Sequence, residues 1–112
     1  MMNRLRVTEL QDFLQAHAAQ PPVLLDVREP WELQRAALRL PGTRALDIPM
    51  QELPARLNEL PDDAPIVCLC HHGVRSAHVA AYLARAGFDE VWDVIGGIDA
   101  WSQEIDPTLP RY

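Results

Sequence analysis

Cysteine is scarce in this chain of 112 residues: there are two, Cys68 and Cys70, with a single residue between them. A disulfide across so short an interval is strained, so a structural bridge is not expected and a reducing compartment suits the pair. No apolar run approaches the roughly 18 to 20 residues that span a bilayer. The opening residues, Met1-Met2-Asn3-Arg4-Leu5-Arg6, lack the apolar stretch of a secretory signal. The expected location is the cytoplasm, with no membrane partner. Internal repeats, low-complexity tracts and linkers are missing too, which leaves one domain across residues 1–112. Cations are outnumbered, ten Lys and Arg against sixteen Asp and Glu, for a net charge of -6. That balance disfavours nucleic acid as a partner. It does not preclude a small anion, because a local cradle of backbone N–H groups outweighs global charge.

What is present is alternation. Thr8 reads as a helix N-cap with Gln11 as its capping-box partner, ahead of the stripe Leu10, Phe13 and Leu14. Val23-Leu24-Leu25 is a short apolar strand, and Pro30 suits the first turn of a helix through Trp31-Glu32-Leu33. Leu40-Pro41-Gly42 turns the chain before a short strand, Ala45-Leu46-Asp47-Ile48. Met50, Leu53, Leu57 and Leu60 mark a further helical face, with Pro54 tolerable only near its start. Ile66 to Leu69 is a buried strand, Ser76 to Ala86 a helix stopped at Gly87, and Glu90 to Val94 the last strand. Gly96-Gly97 opens a short helix carrying Ile98, Trp101 and Ile105, and the tail from Asp106 to Tyr112 is expected along the surface. Such alternation predicts an α/β fold with a mostly parallel sheet covered by helices on both faces. Ligands of such sheets bind beyond the carboxyl ends of the strands.

Cys70 stands at such an end, first in the loop Cys70-His71-His72-Gly73-Val74-Arg75 between a strand and a helix. A thiol there meets backbone N–H groups and the positive end of a helix dipole, which favour the nucleophilic thiolate. Cys68, inside the strand, reads as an inert core residue, with a resolving thiol as the alternative. His71 and His72 read as rim residues that tune polarity near neutral pH. With Cys68 and Cys70 they carry metal-ligand chemistry, but the spacing lacks the separated pairs of a zinc site, so no metal is expected. Asp26 and Arg28 read as a buried or semi-buried pair supporting the loop, with contact between Arg28 and substrate as the alternative. Trp31, Trp92 and Trp101 read as core or rim packing, and the acidic residues of the helices as a solvated face.

Four ordered stretches then resemble one family. They are Leu24-Leu25-Asp26-Val27-Arg28-Glu29, Leu40-Pro41-Gly42 with Ile48-Pro49, Cys70-His71-His72-Gly73-Val74-Arg75-Ser76, and Gly96-Gly97-Ile98-Asp99-Ala100-Trp101. Together they cover nearly the whole chain and look like a single-domain rhodanese, a sulfurtransferase module. The family often has a histidine where Arg39 stands. The resemblance implies a rhodanese-like fold around a five-stranded sheet, and a cysteine that carries sulfane sulfur as a persulfide.

On that reading Cys70 is the catalytic nucleophile and sulfur carrier. His71, His72, Gly73, Val74, Arg75 and Ser76 form the substrate-binding loop. Gly73 lets N–H groups curl inward, with a positive φ expected. Arg75 binds the donor's anionic end or braces the loop, and Ser76 caps the helix. No cofactor is required. The donor is a small sulfur-containing anion or a persulfide, and the acceptor is cyanide or a cellular thiol, with a protein partner in a sulfur relay as a further role. Two alternatives stand beside this: a sulfur-carrier or protein-interaction module with little turnover, and a phosphatase-like or arsenate-reducing enzyme. The four residues between Cys70 and Arg75 argue against the latter, whose related loops carry one more to make room for a tetrahedral anion.

Overall fold

The computed structural model describes residues 2–112. Its centre is a five-stranded sheet in which every pairing is parallel, in the order β1-β5-β4-β2-β3. The strands are β1 (Met2–Arg6), β2 (Val23–Asp26), β3 (Arg44–Asp47), β4 (Ile66–Leu69) and β5 (Val91–Ile95). The helices are α1 (Leu10–Ala16), α2 (Pro30–Arg35), α3 (Val74–Arg85) and α4 (Gly97–Glu104), with 3-10 segments at Val7–Glu9 and Met50–Glu59. No helix among the described residues is long and apolar enough to cross a membrane.

The central strands β2 and β4 are buried at every position, as expected of parallel strands covered on both faces. Alternate side chains feed two separate cores. Val23, Leu25, Cys68 and Val91 pack with Leu53, Val79 and Leu83 on one face. Leu5, Leu24, Val67 and Val94 pack with Leu10, Phe13, Ile98 and Trp101 on the other. The α/β class, the parallel sheet and its two covered faces follow the sequence reading.

Several local expectations are corrected. The N-terminal segment forms β1, an edge strand paired with β5; Arg4 and Arg6 flank buried Leu5, so the charge obscures its alternation. Thr8 does not cap α1. It lies within the first 3-10 turn, and the Arg6 N–H donates to Glu9 Oε1 at 2.8 Å in the capping role. The segment carrying Met50, Leu53 and Leu57 is a 3-10 stretch, kinked at Arg56, instead of an α-helix. Pro54 supplies no N–H and crowds the preceding turn, which prevents regular α geometry there. Helix α3 starts at Val74, two residues earlier than expected, with Gly73 as its N-cap.

The sheet places β4 and β5 side by side, so the loop after β4 faces the turn into α4. There Ile98 N–H donates to the Cys70 carbonyl at 2.8 Å and Asp99 N–H to the His71 carbonyl at 3.0 Å. Gly97 makes this approach feasible: its φ is +61, and a Cβ there would lie 2.6 Å from the His71 carbonyl oxygen and closer still to that of Cys70. Gly97→Ala is expected to combine a left-handed backbone penalty with a clash against fixed carbonyls, for a loss of about 2–4 kcal/mol. Urea denaturation of the variant measures it; a midpoint equal to wild type would contradict the clasp.

Candidate active site

Cys70 follows β4 directly and is 1% exposed. Its sulfur accepts the N–H of Gly73 at 3.0 Å and that of Ser76 at 3.3 Å. The chain turns tightly enough for this because Gly73 has φ +99, the positive value expected, and because a Cβ there would come 2.9 Å from the backbone nitrogen of Gly96. The two donors and the start of α3 form a compact electropositive cradle for sulfur.

Ser76 is not the helix cap. It sits inside the first turn of α3, and its hydroxyl donates to Asp93 Oδ1 at 2.5 Å. The Cys70 thiol donates in turn to Ser76 Oγ at 3.3 Å. Asp93, wholly buried on β5, accepts Arg4 Nε and Nη2 at Oδ2, at 3.1 and 3.0 Å. A buried line therefore runs from thiol to hydroxyl to carboxylate and ends at a half-exposed guanidinium.

A second network braces the loop from the β2 side. Arg75 donates two 2.7 Å hydrogen bonds to the two oxygens of Glu32, so it faces α2 and not open solvent. Glu32 is 3% exposed and also accepts Glu29 N–H at 2.9 Å and the Tyr112 hydroxyl at 3.0 Å. The Arg75 pair is the main reason the Glu32 carboxyl falls from 4.5 to about 2. Arg28, with no exposed surface, grips Asp26 through Nε and Nη2 at 2.7–3.1 Å and donates to the Tyr112 hydroxyl at 2.9 Å. The expected buried Asp26–Arg28 pair is present.

At the rim, the half-buried His71 ring is stacked between Tyr112, at 3.8 Å and 7°, and His72, at 3.9 Å and 24°. Burial, aided by His72, lowers the His71 pKa. His72 is exposed, as is Val74 at 65%. Trp31, 56% exposed, meets Tyr112 edge-on at 6.1 Å. Cys68 is a core residue whose thiol burial pushes up in pKa, away from thiolate. The four side chains Cys68, Cys70, His71 and His72 do not converge. Among the described residues, the ligating side chains that do converge are His71, His72 and Asp99.

Sequence reasoning pointed to the loop after β4 but missed Glu32, Asp93 and Tyr112, which pack around it. Glu32 is no part of a solvated face; its partner Arg75 lies 43 residues on. The carboxylate within the otherwise apolar Val91–Ile95 was the available signal for Asp93, since a buried charge needs partners. Tyr112 lies not on open surface but half-buried beside the loop, and nothing local announces it.

Two predictions follow from these networks. The Glu32 carboxyl is depressed in the folded state, so its stabilisation is complete above pH 4.5 and is lost as pH falls towards 2. The fall from 4.5 to about 2 corresponds to at most about 3 kcal/mol. Glu32→Gln should lower the melting temperature at pH 7 and flatten its dependence between pH 5 and 2, as followed by circular dichroism. Asp93→Asn tests the buried line. Arg4 would retain the amide oxygen, turning the NH2 group towards Ser76 Oγ and freeing the serine hydroxyl to donate to sulfur. The variant exchanges charge-assisted hydrogen bonds from Arg4 and Ser76 for ones to a neutral amide, so stability should fall by about 1–3 kcal/mol, read as the urea midpoint. A midpoint equal to wild type would contradict the arrangement.

Comparison with known proteins agrees with this geometry. The family model of the rhodanese-like domain matches residues 7–104. A sulfurtransferase of Allochromatium vinosum is 36% identical over 87 residues, covering 78% of each chain. The thiosulfate sulfurtransferase GlpE of Pseudomonas fluorescens is 39% identical over 87 residues, covering 78% of this chain and 76% of that one. Four longer plant relatives match over only 21% to 30% of their own length. A solved rhodanese-like domain protein from Staphylococcus aureus superposes over 99% of both chains, with a TM-score of 0.76 and 31% identity. With the loop after β4, the glycine clasp and the parallel sheet all in place, the chain belongs to the rhodanese-like domain family.

Proposed function

We propose that the chain is a sulfurtransferase that carries sulfane sulfur as a persulfide on Cys70. The observation that carries this reading is the pair of N–H groups, from Gly73 and Ser76, aimed at a single sulfur. With thiosulfate as donor, the Cys70 thiolate attacks the outer sulfur. The S–S bond of thiosulfate breaks and sulfite leaves with the electron pair, giving Cys70–S–S⁻. Cyanide or a thiolate then attacks the terminal sulfur, and the Cys70 thiolate departs. Loop N–H groups that hold negative charge lower the cost of both steps. The names of the Allochromatium and Pseudomonas relatives support sulfur transfer in general, and that of the latter supports thiosulfate as an assayable donor. A reducing cytoplasm suits two free thiols.

A second reading, a carrier loaded by a protein partner, is favoured by the state of the cations. Arg28 and Arg75 are both paired internally with carboxylates, so neither stands ready for a dianionic donor. The exposed apolar rim of Trp31 and Val74 suits contact with another protein. The four-residue interval between Cys70 and Arg75 counts against phosphoryl or arsenate chemistry.

Intact-mass measurement after incubation with thiosulfate should show one added sulfur, removed by cyanide with release of thiocyanate. Cys70→Ser should abolish both signals, while Cys68→Ser should keep them. Loading without turnover would select the carrier, and sulfur transfer surviving in Cys70→Ser would overturn the mechanism.

A further inference from the structure

We propose that His71, His72 and Asp99 form a three-ligand site for a late first-row divalent cation such as Zn²⁺ at the rim of the Cys70 loop. One ligating atom from each side chain lies within 4.8 Å of the other two. His72 Nε2 and Asp99 Oδ2 are 3.8 Å apart. Tetrahedral zinc holds nitrogen and oxygen ligands at about 2.0–2.2 Å, which sets ligand separations of about 3.3–3.6 Å. The ligand atoms therefore need to draw together only a little, but the His72 ring must also turn out of its stack on His71 to aim a lone pair at the cation. His72, whose side chain is 62% exposed, supplies the freedom to close.

The ligands rest on backbones already locked together. Asp99 N–H donates to the His71 carbonyl at 3.0 Å, and Ile98 N–H to that of Cys70 at 2.8 Å. This fixes the first turn of α4 against the residues that bear the imidazoles. The His71 ring is held in place by its stack on Tyr112, and its Nε2 is buried without a hydrogen-bond partner. A buried ring nitrogen with no partner is costly, and metal coordination to the cluster offers this imidazole the polar partner it lacks.

Asp99 is supported as metal-binding carboxylates usually are. Gln103 Nε2 donates to Oδ2 at 2.7 Å, and Arg111 donates to Oδ1 at 2.8 Å and to Oδ2 at 3.3 Å. The guanidinium competes with a cation. Its side chain is 58% exposed, however, and surface pairs of this kind are weak, so it can swing aside. Two imidazoles and one carboxylate suit zinc, cobalt or nickel better than calcium or magnesium. Three protein ligands leave a fourth position open to water or a small anion.

The site is independent of any sulfur chemistry, and its test does not use activity. Purified chain, stripped with a chelator, is titrated with Co²⁺ and followed by visible absorption, and with Zn²⁺ in competition with a chromogenic indicator. One equivalent should bind, giving cobalt d–d bands without a sulfur-to-cobalt charge-transfer band. His72→Ala, at an exposed side chain, and Asp99→Asn, a near-isosteric change, should each weaken binding about tenfold or more. Cys70→Ser should leave the spectrum as it is. Failure of wild type to bind would overturn the proposal. So would binding that survives both the His72 and Asp99 changes, or a charge-transfer band lost in Cys70→Ser.

Discussion

Two backbone hydrogen bonds, from Ile98 and Asp99 to the carbonyls of Cys70 and His71, are the constraint on which the loop depends. A peptide unit that turns its carbonyl outward to a fixed donor cannot turn it inward to the sulfur. By occupying these carbonyls, α4 leaves the inside of the loop to N–H groups. The same contact explains why β4 and β5 must be neighbours, and why the residue at the start of α4 has no side chain. The cradle is thus a property of three elements, and the cysteine sits where their backbones meet.

Around this clasp, charge is handled in buried or half-buried pairs. The chain contains no lysine, and all ten of its cationic side chains are arginine. Arg28 with Asp26, Arg75 with Glu32, and Arg4 with Asp93 are all multiply hydrogen-bonded. The planar fork of arginine makes such two-point contacts, which an ammonium cannot. Charge pairs at low exposure return little net stability, because desolvation offsets the attraction. Their effect here is geometric: Arg75 with Glu32 ties α3 to α2, Arg4 with Asp93 ties β1 to β5, and the local Asp26 pair holds Arg28 against Tyr112.

Much of this was legible in the sequence, and what was not shares a physical cause. Strands β2 and β4 announced themselves because burial on both faces demands unbroken apolar runs, and the Cys70 loop because a strand end, a glycine and a following helix lie contiguously. The first strand escaped notice because two arginines flank a single buried leucine. Ser76 was read as a cap from its type alone, whereas its hydroxyl is taken by a carboxylate 17 residues away. Glu32, Asp93 and Tyr112 became site residues only through partners 43, 17 and 84 residues distant. Local pattern carries no record of such pairings.

Cys68 lies two residues before Cys70 on the same face of the sheet, with no exposed surface and a thiol held in its neutral form by burial. Burial and the neutral thiol both disfavour an attack by Cys68 on its neighbour. If Cys70 carries sulfur as proposed, that sulfur finds no ready outlet through Cys68, and the lifetime of the loaded state is then set by whatever acceptor reaches the rim.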